Sequence, residues 1–365
     1  YRYFGYSTTL MRKSMNTLDS IIQRIRPLDR EKMAQAARYV DALAKPPGSL
    51  GRLEQLAIQL SGMSGIADLA NLNKEIIVMC ADHGVFDEGV AVTPKNVTAI
   101  QARNMQKGLT GVCALAKNSN TRVLPVDIGI DANPIADLRS LKLARGCGNI
   151  ARGPAMSYQQ AQQLLISSAN LVQERVEQGI SIFGVGELGI ANTTPASAMI
   201  SVLTDTDPHD VVGIGANLPL ARVAHKESVV RRAIEVNQPN ANDAVDVLAK
   251  VGGFDLVGMT GAILGAAAVG VPVVLDGFLS YASALAAYRL APQVRDYCIP
   301  SHFSAEKGAG VALSHLDLVP YLYLDLRLGE GSGAAMAMSV ISAACAMYCD
   351  MGQQTSSGFS LPPSP

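Results

Sequence analysis

The segment Arg327-Leu328-Gly329-Glu330-Gly331-Ser332-Gly333 sets a single carboxylate between two glycines, just ahead of an uncharged stretch from Gly331 to Tyr348. Glycine on either side lets the backbone approach a ligand closely. Apolar neighbours withdraw the carboxyl group from water, which disfavours its charged form and raises its pKa. A carboxylate tuned upward in this way can serve as a general base near neutral pH. A second description fits the same position: a glutamate at a helix N-terminus, stabilised by the macrodipole. Position alone leaves the two open.

Other residues with chemical potential follow apolar runs. Gly184, Gly186 and Gly189 match G-x-G-x-x-G, the fingerprint of a turn that cradles a dinucleotide pyrophosphate. The same spacing describes a glycine-rich strand-to-helix turn, and Glu187 within it would crowd a pyrophosphate. A dinucleotide-dependent oxidoreductase also needs an acidic residue about twenty positions on. Asp205 and Asp207 lie near that distance but follow a predicted helix. Asn192-Thr193-Thr194-Pro195 opens that helix, where hydroxyls and backbone N–H groups can receive a single phosphate. Lys226, just past Gly215-Ala216-Asn217, is either a phosphate counter-charge or an ordinary solvated lysine. His302, in Ser301-His302-Phe303-Ser304-Ala305-Glu306, is read as structural before catalytic. His209, His225 and His315 lack metal-ligand spacing and no H-E-x-x-H occurs, so no metal site is expected. The six cysteines include no C-x-x-C pair and read as buried free thiols in a reducing compartment.

These residues need a scaffold that gathers them. Short apolar runs at 76–80, 121–126, 180–183, 211–214, 271–275 and 321–324 predict strands. Helical periodicity fills 96–106, 157–177, 195–203, 227–235, 242–251 and 279–290 between them. Strands apolar on both faces and alternating with helices predict a mostly parallel sheet covered on both sides, an α/β fold. In such sheets ligands bind beyond the carboxyl ends of the strands, where strand order reverses. Asp82-His83, Glu187-Leu188-Gly189, Gly213-Ile214-Gly215, Asp276-Gly277 and Glu330 all fall there. Helices at 15–25, 29–44, 53–62 and 333–351 predict a small helical domain, residues 15–65 plus 333–352, beside a large α/β domain, 66–332. Residues 1–14 read as a disordered leader without an export signal, and 353–365 as a Ser/Pro-rich tail. Leu256–Leu275 is twenty residues without a charge, long enough to span a bilayer. Its four glycines and Pro272 predict instead a small-residue helix, a turn and a buried strand, so no membrane span is expected.

Composition excludes several classes. Hydrophobic residues make up 48% and charged residues 17%, which is incompatible with disorder. Thirty basic residues against thirty-one acidic leave no positive surplus for a nucleic-acid backbone. Trp is absent and aromatic residues are few, so no base-stacking platform is expected.

Taken together, a series of ordered blocks resembles the nicotinate-nucleotide–dimethylbenzimidazole phosphoribosyltransferases of cobalamin lower-ligand synthesis. The blocks are 45–54 (KPPGSLGRLE), 81–85 (ADHGV), 147–156 (CGNIARGPAM), 186–196 (GELGIANTTPA), 252–255 (GGFD), 275–278 (LDGF), 301–306 (SHFSAE) and 327–333 (RLGEGSG). The resemblance spans residues from about Lys45 to Met351. It implies transfer of the 5-phosphoribosyl group of nicotinate mononucleotide to 5,6-dimethylbenzimidazole, with inversion at the anomeric carbon. The family's base maps onto Glu330. Its acceptor pocket maps onto Thr93, where many relatives carry Ser, and onto Gln101 and Leu328. Its nucleotide pocket maps onto Glu187, Leu188, Gly189, Gly215, Asp276 and Ser304. Lys226 is implied to reach the donor phosphate in the partner subunit's site. The resemblance also implies a Rossmann-like large domain, a homodimer, a cytoplasmic location and no cofactor, since no pyrophosphate leaves and no Mg²⁺ is required.

Overall fold

The computed structural model describes residues 15–358. The expected leader and the last residues of the expected tail lie outside that range. Six strands form one parallel sheet: β1 (Lys74–Ala81), β2 (Thr121–Gly129), β3 (Arg139–Ser140), β4 (Ile182–Leu188), β5 (Val273–Leu275) and β6 (Cys298–Pro300). Their order is β3-β2-β1-β4-β5-β6. The chain therefore winds outward from β1 in one direction and then returns to start again from β4 in the other. The carboxyl ends of β1 and β4, paired as Met79 with Glu187 and Cys80 with Leu188, form the point of reversal.

Alternation along β1 shows how both faces are covered, because successive side chains point to opposite sides. Met79 meets Gly258 in the helix Phe254–Val269. Ile76, of opposite parity, meets Gly331 at the start of the helix Ser332–Asp350. The first of these helices also packs along Tyr158–Glu177. A Cβ at Gly261 would stand 2.5 Å from Leu165 O, and one at Gly265 2.7 Å from the Ala169 Cα. Small residues thus bring these two backbones together, which accounts for the uncharged run that begins at Leu256. That helix has 16 residues and is buried along nearly its whole length. Among the described residues, Ser332–Asp350 is the helix long and apolar enough to cross a membrane. It packs against β1, β4, β5 and the helices Arg52–Ser61 and Gly111–Asn118.

Most expected elements form, and local signals explain their ends. Asp29 caps Arg30–Asp41 by accepting from Lys32 N, and Ser157 with Gln160 makes a reciprocal cap on Tyr158–Glu177. Two expected strands do not form. At 211–214, Asp207 accepts from His209 N and Pro208 occupies the first helical position, so the chain makes the one-turn helix Pro208–Val211. Gly215, at φ +54°, then turns it away. The run 321–324 makes only a single bridge, Leu322 to His302, beyond the end of β6. The edge position falls to Cys298–Pro300, and the run's outer side chains, Tyr323 and Leu324, remain exposed. The expected tail begins with a short helix, Gln354–Ser357, held by Gln354 N donating to Ala42 O.

Candidate active site

The reversal between β1 and β4 opens a cleft lined by residues from several separate stretches of chain. Val97 and Gln101 come from the helix Val97–Gln106, Glu187 to Gly189 from the end of β4, and Asn192 and Thr193 from the next helix start. Gly215 and Ala216, Asp276 to Leu279, residues between His302 and Glu306, and Arg327 to Glu330 supply the rest.

Glu330 sits at the crown of an arch. Gly329, Glu330 and Gly331 have φ of +83°, +63° and +88°, three consecutive left-handed residues. For a side chain with a Cβ this conformation costs about 1–2 kcal/mol. The surrounding strands hold it there. Glu330 N donates to Glu187 O at 3.1 Å, and Gly331 N and Gly333 N donate to the Asp276 carboxylate at 3.0 and 2.6 Å. Asp276 thereby receives the first N–H groups of Ser332–Asp350 and fixes the helix start to β5. The Glu330 carboxylate accepts from Val112 N at 3.3 Å and from Gln101 Nε2 at 3.5 Å. Burial nonetheless pushes its pKa up, and Asp276 adds to the effect. Leu328, 59% exposed, lies over Gly111 and gives the cleft an apolar lip.

The other carboxylates are similarly desolvated. Glu187 is raised to about 8, first by burial and then by Asp255. Burial also raises Asp276, against the pull of His302 and its three backbone donors. Around Thr193 and Gly215 the character changes. Lys226 Nζ donates to Thr193 Oγ1 at 2.8 Å and to Gly213 O at 3.1 Å, directly beneath the Gly215 turn. Burial brings it down to about 8. Thr193 opens a twelve-residue helix, so a hydroxyl, a helix N-terminus and an ammonium group converge.

Most of the residues singled out by sequence meet at the cleft, and the others stand behind or beside it. Gln101, Glu187, Leu188, Gly189, Gly215, Asp276, Ser304, Leu328 and Glu330 line the cleft. Thr93 lines an adjoining hollow that shares Gly189, Asn192 and Thr193 with it. Lys226 stands behind the wall rather than in it. Asp82 does not reach the cleft: it accepts from Asp131 N at 2.7 Å and ties β1 to the loop after β2. His302, read from sequence as structural, does line the cleft. So does Glu306, whose Oε2 accepts from Gly215 N at 3.2 Å and whose buried Oε1 has no hydrogen-bond partner. No spacing signal marked it, because its role comes from the Gly213–Gly215 turn folding onto it.

The glycine fingerprint has a different use from dinucleotide binding. Gly184 and Gly186 lie inside β4, not in a turn. A Cβ on Gly186 would stand 2.4 Å from Gly331 N, and one on Gly184 2.9 Å from Ile76 and 3.1 Å from Ala334. These glycines make room for the Glu330 arch and its helix. Asp207, near the position a ribose-binding acid would take, pairs with Arg231 at the surface. The oxidoreductase alternative is therefore not supported. Among the described residues no group of three or more His, Cys, Asp or Glu side chains is arranged to hold a metal ion.

Comparison with known proteins gives the same assignment. A phosphoribosyltransferase family model matches residues 25–359. A nicotinate-nucleotide–dimethylbenzimidazole phosphoribosyltransferase of Photorhabdus laumondii is 61% identical over 348 residues, covering 95% of this chain and 100% of that protein. One of the same description from Yersinia enterocolitica is 62% identical, covering 95% and 99%. The crystal structure of the Thermus thermophilus enzyme of that description superimposes with a TM-score of 0.85 at 34% identity, covering 92% of this chain and 100% of that one. The chain belongs to the nicotinate-nucleotide–dimethylbenzimidazole phosphoribosyltransferase family.

Proposed function

We propose that this enzyme transfers the 5-phosphoribosyl group of nicotinate mononucleotide to 5,6-dimethylbenzimidazole, releasing nicotinate and α-ribazole 5′-phosphate. The observation that carries the proposal is a single cleft that holds both a desolvated carboxylate, Glu330, beside the apolar Leu328, and the Thr193–Gly215 corner backed by Lys226. The phosphate goes to that corner, where Lys226 acts through Thr193 and the Gly215 turn. The benzimidazole enters against Leu328, Gln101 and Thr93. Its unprotonated ring nitrogen attacks the anomeric carbon from the face opposite the leaving group, which inverts that centre. The bond to the pyridinium nitrogen breaks with its electron pair, leaving neutral nicotinate nitrogen. Glu330 takes the proton from the other benzimidazole nitrogen. Glu187, Leu188, Gly189, Asp276 and Ser304 form the nucleotide side, and the unpaired Glu306 Oε1 is an acceptor for a ribose hydroxyl. Holding the two reactants in line can remove about 7–11 kcal/mol of the barrier.

The test is Glu330→Gln, assayed with both substrates by mass spectrometry of the products. Turnover should fall by about two to four orders of magnitude, the usual weight of a placed base. Binding of nicotinate mononucleotide by calorimetry should persist. Near-normal turnover would remove Glu330 from the role.

The same reading extends to the molecule's organisation. Residues 15–65 with 333–352 form a small helical unit on the large α/β unit 66–332. The working form is a cytoplasmic homodimer, the commonest closed assembly. Lys226, buried against its own Thr193 and Gly215 turn, serves the phosphate corner of its own protomer in place of the partner's site that the resemblance implied.

A further inference from the structure

From behind the cleft wall a line of buried polar side chains runs to Asn192 and Glu187, and of its members the proposed reaction uses only Glu187. Cys147 Sγ lies 3.6 Å from His83 Nδ1, and His83 Nε2 lies 3.1 Å from Asp255 Oδ1. Asp255 Oδ2 accepts from Asn192 Nδ2 at 2.9 Å, and the same amide donates to Glu187 Oε2. None of the five residues is more than 9% exposed. They come from five places: the loop after β1, the loop before Tyr158–Glu177, the helix start after β4, the first turn of Phe254–Val269, and β4 itself. Two glycines admit them. A Cβ at Gly189 would stand 3.0 Å from Asp255 Oδ2 and 3.1 Å from His83 Nε2, and one at Gly253 only 2.3 Å from His83 Cε1.

A buried charged pair is a weak source of stability, and well-packed apolar groups of the same shape hold a core at least as well. Orientation is what this line supplies and an apolar core would not. The Asn192 amide has two hydrogens, one for each carboxyl group. It draws Glu187 Oε2 inward, and Oε1 is left against Gly329, on the arch that carries Glu330.

We propose that Asn192 and Asp255, anchored by His83 and Cys147, are positioning residues that fix the Glu187 carboxyl group in the cleft. The proposal rests on Glu187 belonging to the nucleotide pocket. Its electrostatic side follows from the groups facing Glu187. Burial, Asp255, Asp276 and Glu330 raise its pKa, and the Asn192 donor lowers it. The Cys80 thiol on β1 is itself pushed well up, first by burial, and so remains neutral beside it. At the far end burial pulls His83 down, but Asp255 and Cys147 outweigh it and leave His83 well above its ordinary value.

Two substitutions should therefore move Glu187 in opposite directions. Asn192→Leu removes the donor and should raise the Glu187 midpoint. Asp255→Asn removes the facing negative charge and should lower it, each by about one pH unit. The readout is an infrared pH titration of the protonated-carboxyl band, assigned by its loss in Glu187→Gln, alongside the pH profile of kcat/KM for nicotinate mononucleotide. A purely structural role would lower the folded fraction in both variants without opposite displacements. Midpoints that stay put, or move together, overturn the proposal. Asn192→Leu leaves the His83–Asp255 pair intact, so it decides the matter alone if Asp255→Asn does not fold. Opposite infrared shifts with an unchanged kcat/KM profile would keep the positioning role and instead remove Glu187 from the nucleotide pocket.

Discussion

Lys226 carries its ammonium group into a site where only 1% of the residue meets solvent, and burial brings its pKa down to about 8. Glu306 opposes that fall but does not cancel it. Its positive charge is complete well below that pH and is lost as pH rises through it. Glu330 is displaced the other way: burial raises it, so it is an available base only above a pKa higher than that of a solvated glutamate. kcat/KM for nicotinate mononucleotide should therefore climb as Glu330 loses its proton and fall above about pH 8 as Lys226 loses its own. Glu187 titrates in the same range. The discriminating variant is therefore Lys226→Met, which removes the lysine's share of the alkaline limb and leaves that of Glu187. Steady-state rates for parent and variant across this range would show a shallower limb and a higher donor KM. An unchanged limb would separate Lys226 from phosphate binding. The glycines around Glu330 and the helix start at Thr193 were legible in the sequence. The burial of Lys226 was not, because its depth comes from packing under a turn that no periodicity reveals.

The arch at Gly329–Gly331 depends on strand β4 as much as on its own glycines. Gly186 presents no Cβ where Gly331 N would be 2.4 Å away, and that neighbour is backbone, which cannot rotate aside. Gly186→Ala should therefore push the arch outward and move Glu330 relative to the acceptor. Misplacement of about 1 Å can cost on the order of a hundredfold in rate. Kinetics should show a fall of that order in kcat, with donor KM changed far less. A parental kcat in Gly186→Ala would mean the arch has slack the geometry does not suggest. At this scale the sequence was informative wherever one chain segment determines the outcome. The capped helices, β1, and the helix–turn–strand from Phe254 to Leu275 all follow from local pattern. It misled where apolar runs compete for one place in the sheet. Residues 298–300 and 321–324 both offer strand material, but only the former lies beside β5, pairing Val273 with Cys298. An apolar run does not record which partner will be available.

Across the whole molecule, Arg52 ties the N-terminal helices to the acceptor side of the cleft. Arg52 begins the helix Arg52–Ser61, donates to Pro320 O at 2.7 Å and to Val319 O, and places its guanidinium 3.9 Å over the Tyr321 ring. That ring belongs to the loop that runs on through Tyr323, stacked on Phe303 at 5.9 Å, to Leu328 and Glu330. A contact between residues 268 positions apart thus sets the loop that forms the apolar lip. The helix Ser332–Asp350 closes the circuit, because it packs on Arg52–Ser61 and starts at the Glu330 arch. Arg52→Ala should loosen the lip while leaving the phosphate corner alone. A cation–π contact at a partly exposed site contributes about 1 kcal/mol, or about fivefold in affinity. The KM for 5,6-dimethylbenzimidazole should rise by about that factor, with the donor KM unaltered. Arg52→Lys should not restore it, since an ammonium lacks the planar fork that meets two carbonyls while lying on a ring. Equal changes in both KM values would mean that the N-terminal helices support the fold as a whole and have no separate hold on the acceptor loop.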